Sequence, residues 1–337
     1  MNTRTLAPAW PDALTDITSS LACEYATLTH DGRPVTWAVT PYQGERTLDV
    51  STGLTYPLKA ERARRNPHVA LSFSDPTGYA SSSGSTSRPP VVLVEGLATV
   101  RDADLQANTD RYIRESIAKV GTSGTPWFLA RTWAWYYARI WVELTPLRVT
   151  WWPGGDLAAQ PEVWTAPADT NAPASDPAPA RAVKGGGAHT GSAAVVPLDW
   201  RPFADRAERL GAPVVTLTRE GFPLPVRARS VRRTAEGFHV VLPVGIEPAV
   251  GPVCLTFHRV TTTPRFAQEN VVLLGYGRPD GDGVTVLVER AVNDWSVAGS
   301  RVHQAREWLR QGARRKAHLG EEAARRSQPA PMVRRIS

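Results

Sequence analysis

Cysteine is nearly absent from this chain: Cys23 and Cys254 are its two thiols. Two cysteines in strand-like segments exclude a disulfide scaffold and fit a reducing, cytoplasmic setting. No run of 18 apolar residues occurs, so no membrane-spanning helix is expected. The opening MNTRTLAPAWPDAL lacks a continuous apolar stretch and a small-residue cleavage site, so no secretory leader is expected either. The seven histidines show no metal-ligand spacing, and no metal site is expected. No Ser-His-Asp or Cys-His set stands out. The glycine clusters GSAAVV and GYGRPDGDG lack the strand-to-helix context of nucleotide loops, and the second reads as a hairpin.

An excess of one charge sign is also missing, outside one segment. The chain carries a formal net charge of +7, and residues 299–337 hold ten Arg/Lys against three Asp/Glu. The remainder is therefore balanced, which speaks against nucleic acid as the main partner. The segment itself, SRVHQAREWLRQGARRKAHLGEEAARRSQPAPMVRRIS, has Val302, Ala305, Trp308, Leu309 and Ala313 at helical spacing. It reads as a docked helix with a solvated basic face, and an adaptor role toward nucleic acid or acidic partners stays as the alternative.

With 337 residues, two domains are expected. The Pro/Ala/Gly-rich stretch 153–197 is the clearest linker, too poor in apolar residues to order itself. It parts a region 15–152 from a second region 198–298, with the basic segment 299–337 after them. The two regions echo each other. ATLTHDGRPV (26–35) matches VTLTREGFPL (215–224), and HVALSFS (68–74) matches PVCLTFH (252–258). VVLVEG (91–96) loosely matches VVLLGYG (271–277), and IWVELTPLRVTWW (140–152) matches VLVERAVNDWSV (286–297) with Val-Glu aligned. Four matches in one order indicate an internal duplication.

Strands are expected near 23–30, 34–41, 46–52, 68–74, 90–100 and 138–152, with helices near 56–65, 102–120 and 126–135. Closely spaced hairpins and few helices suggest a small closed barrel. The aromatic run TPWFLARTWAWYYARIWVEL (126–145) reads mostly as core or interface. The stretch STGLTYPLKAERARRNPHVAL (51–71) stands apart from it. A strand passes through hydroxyl-bearing residues into a short helix with Pro57 early and Pro67 beyond it. Lys59, Arg62, Arg64 and Arg65 crowd that helix, answered by Glu61. Backbone donors, short hydroxyls and a point charge suit a phosphate. Capping by Ser or Thr and a Glu61–Arg65 pair suit an ordinary solvated helix equally. Lys59 is the charge expected to matter, with the arginines on the surface.

The pattern resembles a known family. Ser51-Thr52, Lys59, Asn66-Pro67 and Val69 follow Gly32-Arg33-Pro34 and precede Val92, Gly96, Ala98 and Val100. This is similar to the pyridoxamine 5'-phosphate oxidase-like (FMN-binding) split-barrel family, which includes deazaflavin-dependent oxidoreductases and haem-handling proteins. The resemblance covers about residues 20–152 and, weakly, 210–297. It implies a mostly β chain of two tandem six-stranded split barrels, the second degenerate, forming a pseudo-dimer within the chain or a homodimer. It further implies a cofactor phosphate held by Thr52, Ser51 and Lys59, with Trp37 facing the cofactor ring. FMN is the expected cofactor, with a deazaflavin or haem as alternatives. The implied activity is hydride transfer on a small organic substrate, or non-catalytic binding of flavin or haem. No catalytic residue is identified. Departures matter as well: Trp37 stands where the oxidase has an Arg, and Pro90-Val91 replace its Arg-Gln pair. One extra residue lies between Thr52 and Lys59. These changes speak against pyridoxamine phosphate oxidation.

The second copy carries seven residues between Gly245 and Val253, against fifteen between Gly53 and Val69 in the first. The missing stretch has the length of the Lys59 helix, so one phosphate site per chain is expected.

Overall fold

The structure, a computed structural model, describes residue 11 and residues 17–75, 89–120, 131–180, 198–261, 267–292 and 301–334. Residues 126–130 of the third expected helix, and residues 181–197 of the expected linker, lie outside that set.

In the first half, β1 (Cys23–Leu28), β2 (Pro34–Val39), β3 (Pro41–Gln43) and β4 (Leu48–Gly53) lead into helix α1 (Leu58–Arg65). Then come β5 (His68–Phe73), β6 (Val91–Arg101), α2 (Leu105–Val120), the short α3 (Ala134–Tyr137) and β7 (Arg139–Trp152). The sheet order is β2-β1-β5-β6-β7-β4-β3, all antiparallel, with β8 (Glu162–Thr165) added beside β7. The second half has α4 (Arg201–Leu210), then β9 (Val214–Arg219), β10 (Phe222–Arg227), β11 (Ser230–Arg233) and β12 (Gly237–Val241). It continues with β13 (Gly251–Thr261), β14 (Ala267–Asp280) and β15 (Gly283–Val292), and α5 (Arg301–Arg325) follows. Its order is β10-β9-β13-β14-β15-β12-β11, the same path strand for strand. The chain therefore folds as two tandem split β-barrels. As the sequence indicated, no helix stands between β12 and β13 where the first copy has α1.

The ladders correct the sequence alignment. The hairpin between β1 and β2 is one residue longer than its counterpart, so Ala26 corresponds to Thr216 rather than Val215. Both long strand pairs, β6–β7 and β14–β15, carry a bulge, after Glu95 in one sheet and after Leu274 in the other. This sets Gly96 against Gly275 and Pro146 against Val288, four residues from the Val-Glu match. The bulge glycines are required by close approach. A Cβ on Gly275 would lie 2.2 Å from the Leu287 carbonyl oxygen, and one on Gly96 would lie 2.3 Å from that of Thr145. Gly275→Ala is expected to lower the denaturation free energy by about 1–3 kcal/mol, measured by urea titration.

Alternation along each strand makes two faces. One face fills the barrel: Val69, Leu71 and Phe73 in the first, and Val253, Leu255 and Phe257 in the second. The other face meets the opposite barrel. β2 lies across β13, β9 and β14, and β10 lies across β5, β1 and β6, so the contact has pseudo-twofold symmetry. On one side Val35 and Trp37 pack with Cys254, Val272 and Leu274. On the other, Leu224 and Val226 pack with Ala70, Val91, Leu93 and Trp152. Of the aromatic run's described residues, Trp135 and Trp141 are buried and Tyr136 and Tyr137 pack against buried clusters, while 126–130 lie outside the described set; Trp151 and Trp152, beyond the run, are buried as well.

Polar groups sit at the middle of the seam. His258 Nε2 donates to Glu24 Oε1 at 2.6 Å, and Ser74 donates to the same oxygen at 2.7 Å. Arg227 Nη2 donates to it at 3.2 Å, and Arg227 Nε donates to Ser74 at 3.0 Å. Burial alone would push the Glu24 carboxyl up. His258, Arg227 and Ser74 together outweigh burial and hold it below the usual range.

Two expectations for the connecting segments change. Part of the expected linker packs on the barrels, through Leu157, Trp164 and Ala166 as well as through polar groups. β8 pairs with β7, Thr99 donates to the Pro173 carbonyl, and Asp176 accepts from the Asp102 and Ala103 amides at 2.7 Å each. The basic segment is also not simply a solvated face. Leu319 and Ala323 join the first barrel's core. Arg326, 3% exposed, pairs with Glu61 and Asp102 at 2.8 Å each and with Glu322 at 2.7 Å.

Candidate functional site

α1 distributes its charges by helical spacing. Ala60 and Ala63 face the first core. Arg64 turns toward Asp102, at 2.8 Å, and toward Glu61, at 3.6 Å. Glu61 is therefore taken by Arg64 and Arg326, not by Arg65. Lys59 and Arg62, three residues apart, share the remaining face. Their charges lie 4.9 Å and 5.1 Å from the centre of the Trp37 ring. Trp37 itself is 7% exposed, held at the seam between the barrels. Lys59 and Trp37, singled out separately in the sequence, are thus brought together.

Arg62 is the residue that sequence reasoning missed. It was assigned to the surface, yet its Nη1 is buried and has no hydrogen-bond partner among the described residues. Burial, and then the charges of Arg65 and Arg290, bring its pKa down to about 10. A buried donor left unmatched is costly, and native structures rarely keep one without a reason. The three-residue interval from Lys59 was the available signal; what hid Arg62 was the unseen second barrel over it. Beside it the Tyr25 hydroxyl is also buried and unpartnered, with its pKa raised by burial.

The hydroxyls divide. In β4, Leu48 and Val50 face the core, and Thr52 shares their face. Asp49 faces outward to Arg111 at 2.6 Å, and Ser51 shares that opposite face. Ser51 and Thr52 side chains therefore do not converge on one ligand. Thr52 Oγ1 donates to the Tyr56 carbonyl at 3.1 Å, which fixes the turn entering α1. Its proton is engaged there, and the unmatched donor on this face is Arg62 Nη1.

A phosphate fits this corner by its chemistry: it brings acceptors to a buried donor that has none, and negative charge to a face that Lys59 and Arg62 make positive. Among the described residues no group of three or more His, Cys, Asp or Glu is arranged to hold a metal ion. No described helix is long and apolar enough to cross a membrane.

No family model and no curated protein matches the chain. Solved structures similar to it include an F420 reductase, at 19% identity over 42% of this chain and 98% of that one, TM-score 0.31. A protein related to general stress protein 26, of the pyridoxinephosphate oxidase family, from Clostridium acetobutylicum is similar at 10% identity. That match covers 44% of this chain and 88% of that one, TM-score 0.30. HutZ, the haem storage protein from Vibrio cholerae, is similar at 16% identity over 40% of this chain and 87% of that one, TM-score 0.26. Each likeness spans less than half of this chain and concerns the fold alone. The duplicated strand order itself makes the chain a tandem of two split β-barrels.

Proposed function

We propose that the chain binds a phosphate-bearing flavin-type cofactor, FMN or a deazaflavin, where α1 meets the seam. The observation that supports this is the Arg62 guanidinium, whose Nη1 is buried and unmatched among the described residues, beside Lys59 over Trp37. In this reading Lys59 and Arg62 hold the phosphate and Trp37 is the nearest aromatic face for the ring system. Bound there, such a cofactor supplies hydride transfer, and the chain acts as an oxidoreductase on a small organic substrate. The protein's part is to orient the cofactor and to exclude water between the barrels.

An absorption spectrum of the purified protein, alone and after addition of FMN, a deazaflavin or haem, separates the cofactors. A flavin or deazaflavin band supports the reading. A Soret band alone, or no uptake of any of the three, overturns it. Lys59→Ala and Arg62→Met are each expected to weaken FMN binding about 10- to 100-fold, with little effect on riboflavin, which lacks the phosphate. Arg62→Met has a second signature. Because the buried Nη1 has no acceptor to lose, the substitution is expected to leave the melting temperature unchanged or higher, the mark of a group kept for binding.

A further inference from the structure

The seam corner has a pseudo-twofold counterpart, and the two differ in charge. At the ladder position just before each bulge, the first sheet pairs Glu95 with Arg148 and the second pairs Leu274 with Arg290. In the first, Glu95 accepts from Arg219 at 2.7 Å and lies 4.0 Å from Arg148, so the acid is enclosed by two arginines. In the second, Leu274 replaces the acid and packs with Trp37, Cys254 and Val272. Val292, two residues beyond Arg290 and on the same face of β15, packs against that cluster, which places Arg290 at the rim of the Trp37 corner. Among the described residues Arg290 forms no ion pair with a carboxylate. Arg290 is also among the charges that act on Arg62. Arg62 and Arg290 thus approach one corner from two barrels, and neither pairs with a carboxylate among the described residues, whereas the counterpart corner supplies its own acid in Glu95.

We propose that Arg290 is a binding residue of the seam site: the second barrel reaches across to hold the same phosphate group as Lys59 and Arg62, while Glu95 closes the equivalent position on the other side. This deepens the cofactor reading above and rests on it. It gives the second barrel a direct part in binding although it lacks the helix. The ligand class is a phosphate monoester, clasped between the barrels.

The test compares the full-length wild type with Arg290→Gln, Arg290→Lys and Arg148→Gln, each checked for an unchanged melting temperature without ligand. FMN and riboflavin are titrated by fluorescence, and the shift in melting temperature with inorganic phosphate is read at constant ionic strength. Arg290→Gln is expected to weaken FMN about tenfold or more while leaving riboflavin unchanged. Arg290→Lys is expected to recover part of the loss, and Arg148→Gln to bind FMN as the wild type does. If the wild type prefers FMN and Arg290→Gln binds it equally well, this proposal falls and the cofactor reading stands. If neither flavin binds, but inorganic phosphate stabilises the wild type and not Arg290→Gln, the anion site stands and the flavin reading falls. If neither flavin nor phosphate acts on the wild type, both fall. A loss in Arg148→Gln equal to that in Arg290→Gln also overturns it, since a general charge effect would then suffice.

Discussion

Glu24→Ala lowers the free energy of unfolding by about 3–5 kcal/mol, the cost of leaving a buried cation without its counter-charge. Glu24 is 0% exposed, and it gathers Arg227, His258 and Ser74 at the centre of the seam. Arg227 and His258 come from the second barrel and Glu24 from the first, so the loss falls on the contact between barrels. Two of its atoms are already unmatched, Glu24 Oε2 and His258 Nδ1, and further loss has no slack to absorb it. The pH dependence follows from the sign of the shift. The Glu24 carboxyl titrates lower in the folded protein than its ordinary value of 4.5, so its contribution is present in full above that value. It is lost as the pH falls through the lowered folded value. Denaturant titrations of wild type and Glu24→Gln at pH 7 and at steps below pH 5 measure it. The difference between the two should shrink as the pH falls. A difference independent of pH would contradict this role.

Arg326→Ala costs a similar amount, about 3–5 kcal/mol, and its effect is local. The side chain is 3% exposed and satisfies Glu61, Asp102 and Glu322 at once. Without it Asp102, itself 2% exposed, keeps Arg64 alone, and the end of α5 loses its main tie to α1. Faster amide exchange or proteolysis in 312–334 is expected before any change elsewhere. Arg334 provides the contrast. Its pair with Asp110 is 3.8 Å long and its side chain is 59% exposed, so Arg334→Ala is expected to change stability by less than about 0.5 kcal/mol. Equal effects from the two substitutions would mean that the basic segment acts only through its overall charge. Because α1 carries both Lys59 and Glu61, Arg326 also steadies the helix that presents the candidate site.

Much of the architecture was legible in the sequence because strand patterning and hairpin turns are local. The duplication was legible too, since the hairpins around Gly32 and Gly221 each place a glycine at positive φ within similar strand sequences. The register of the repeat was not. A one-residue difference in a hairpin loop, and the long insertion between β6 and β7 where β14 and β15 are joined by a tight turn, obscure the match. Lys59 and Trp37 were named from the sequence. Arg62 was not, because the Trp37 ring it lies over is packed against Cys254, Val272 and Leu274, some two hundred residues away. Ser51 and Thr52 were taken together because they are adjacent, but strand alternation sends adjacent side chains to opposite faces. The Pro/Ala-rich stretch was misread for a different reason. Its described part is tied down by Leu157 and Trp164 packing on the cores and by hydrogen bonds that Asp176, Ser175 and Pro173 accept from the end of β6 and the residues just after it. Composition does not report such bonds.

The central claim is that the corner of Lys59, Arg62 and Trp37 holds the phosphate of a flavin-type cofactor. The most direct measurement is a paired titration of the wild-type protein with FMN and with riboflavin at fixed ionic strength, followed by fluorescence quenching. The account predicts saturation at one FMN per chain and an affinity about tenfold or more above that of riboflavin. Equal affinities for the two flavins, or two FMN per chain, would contradict it.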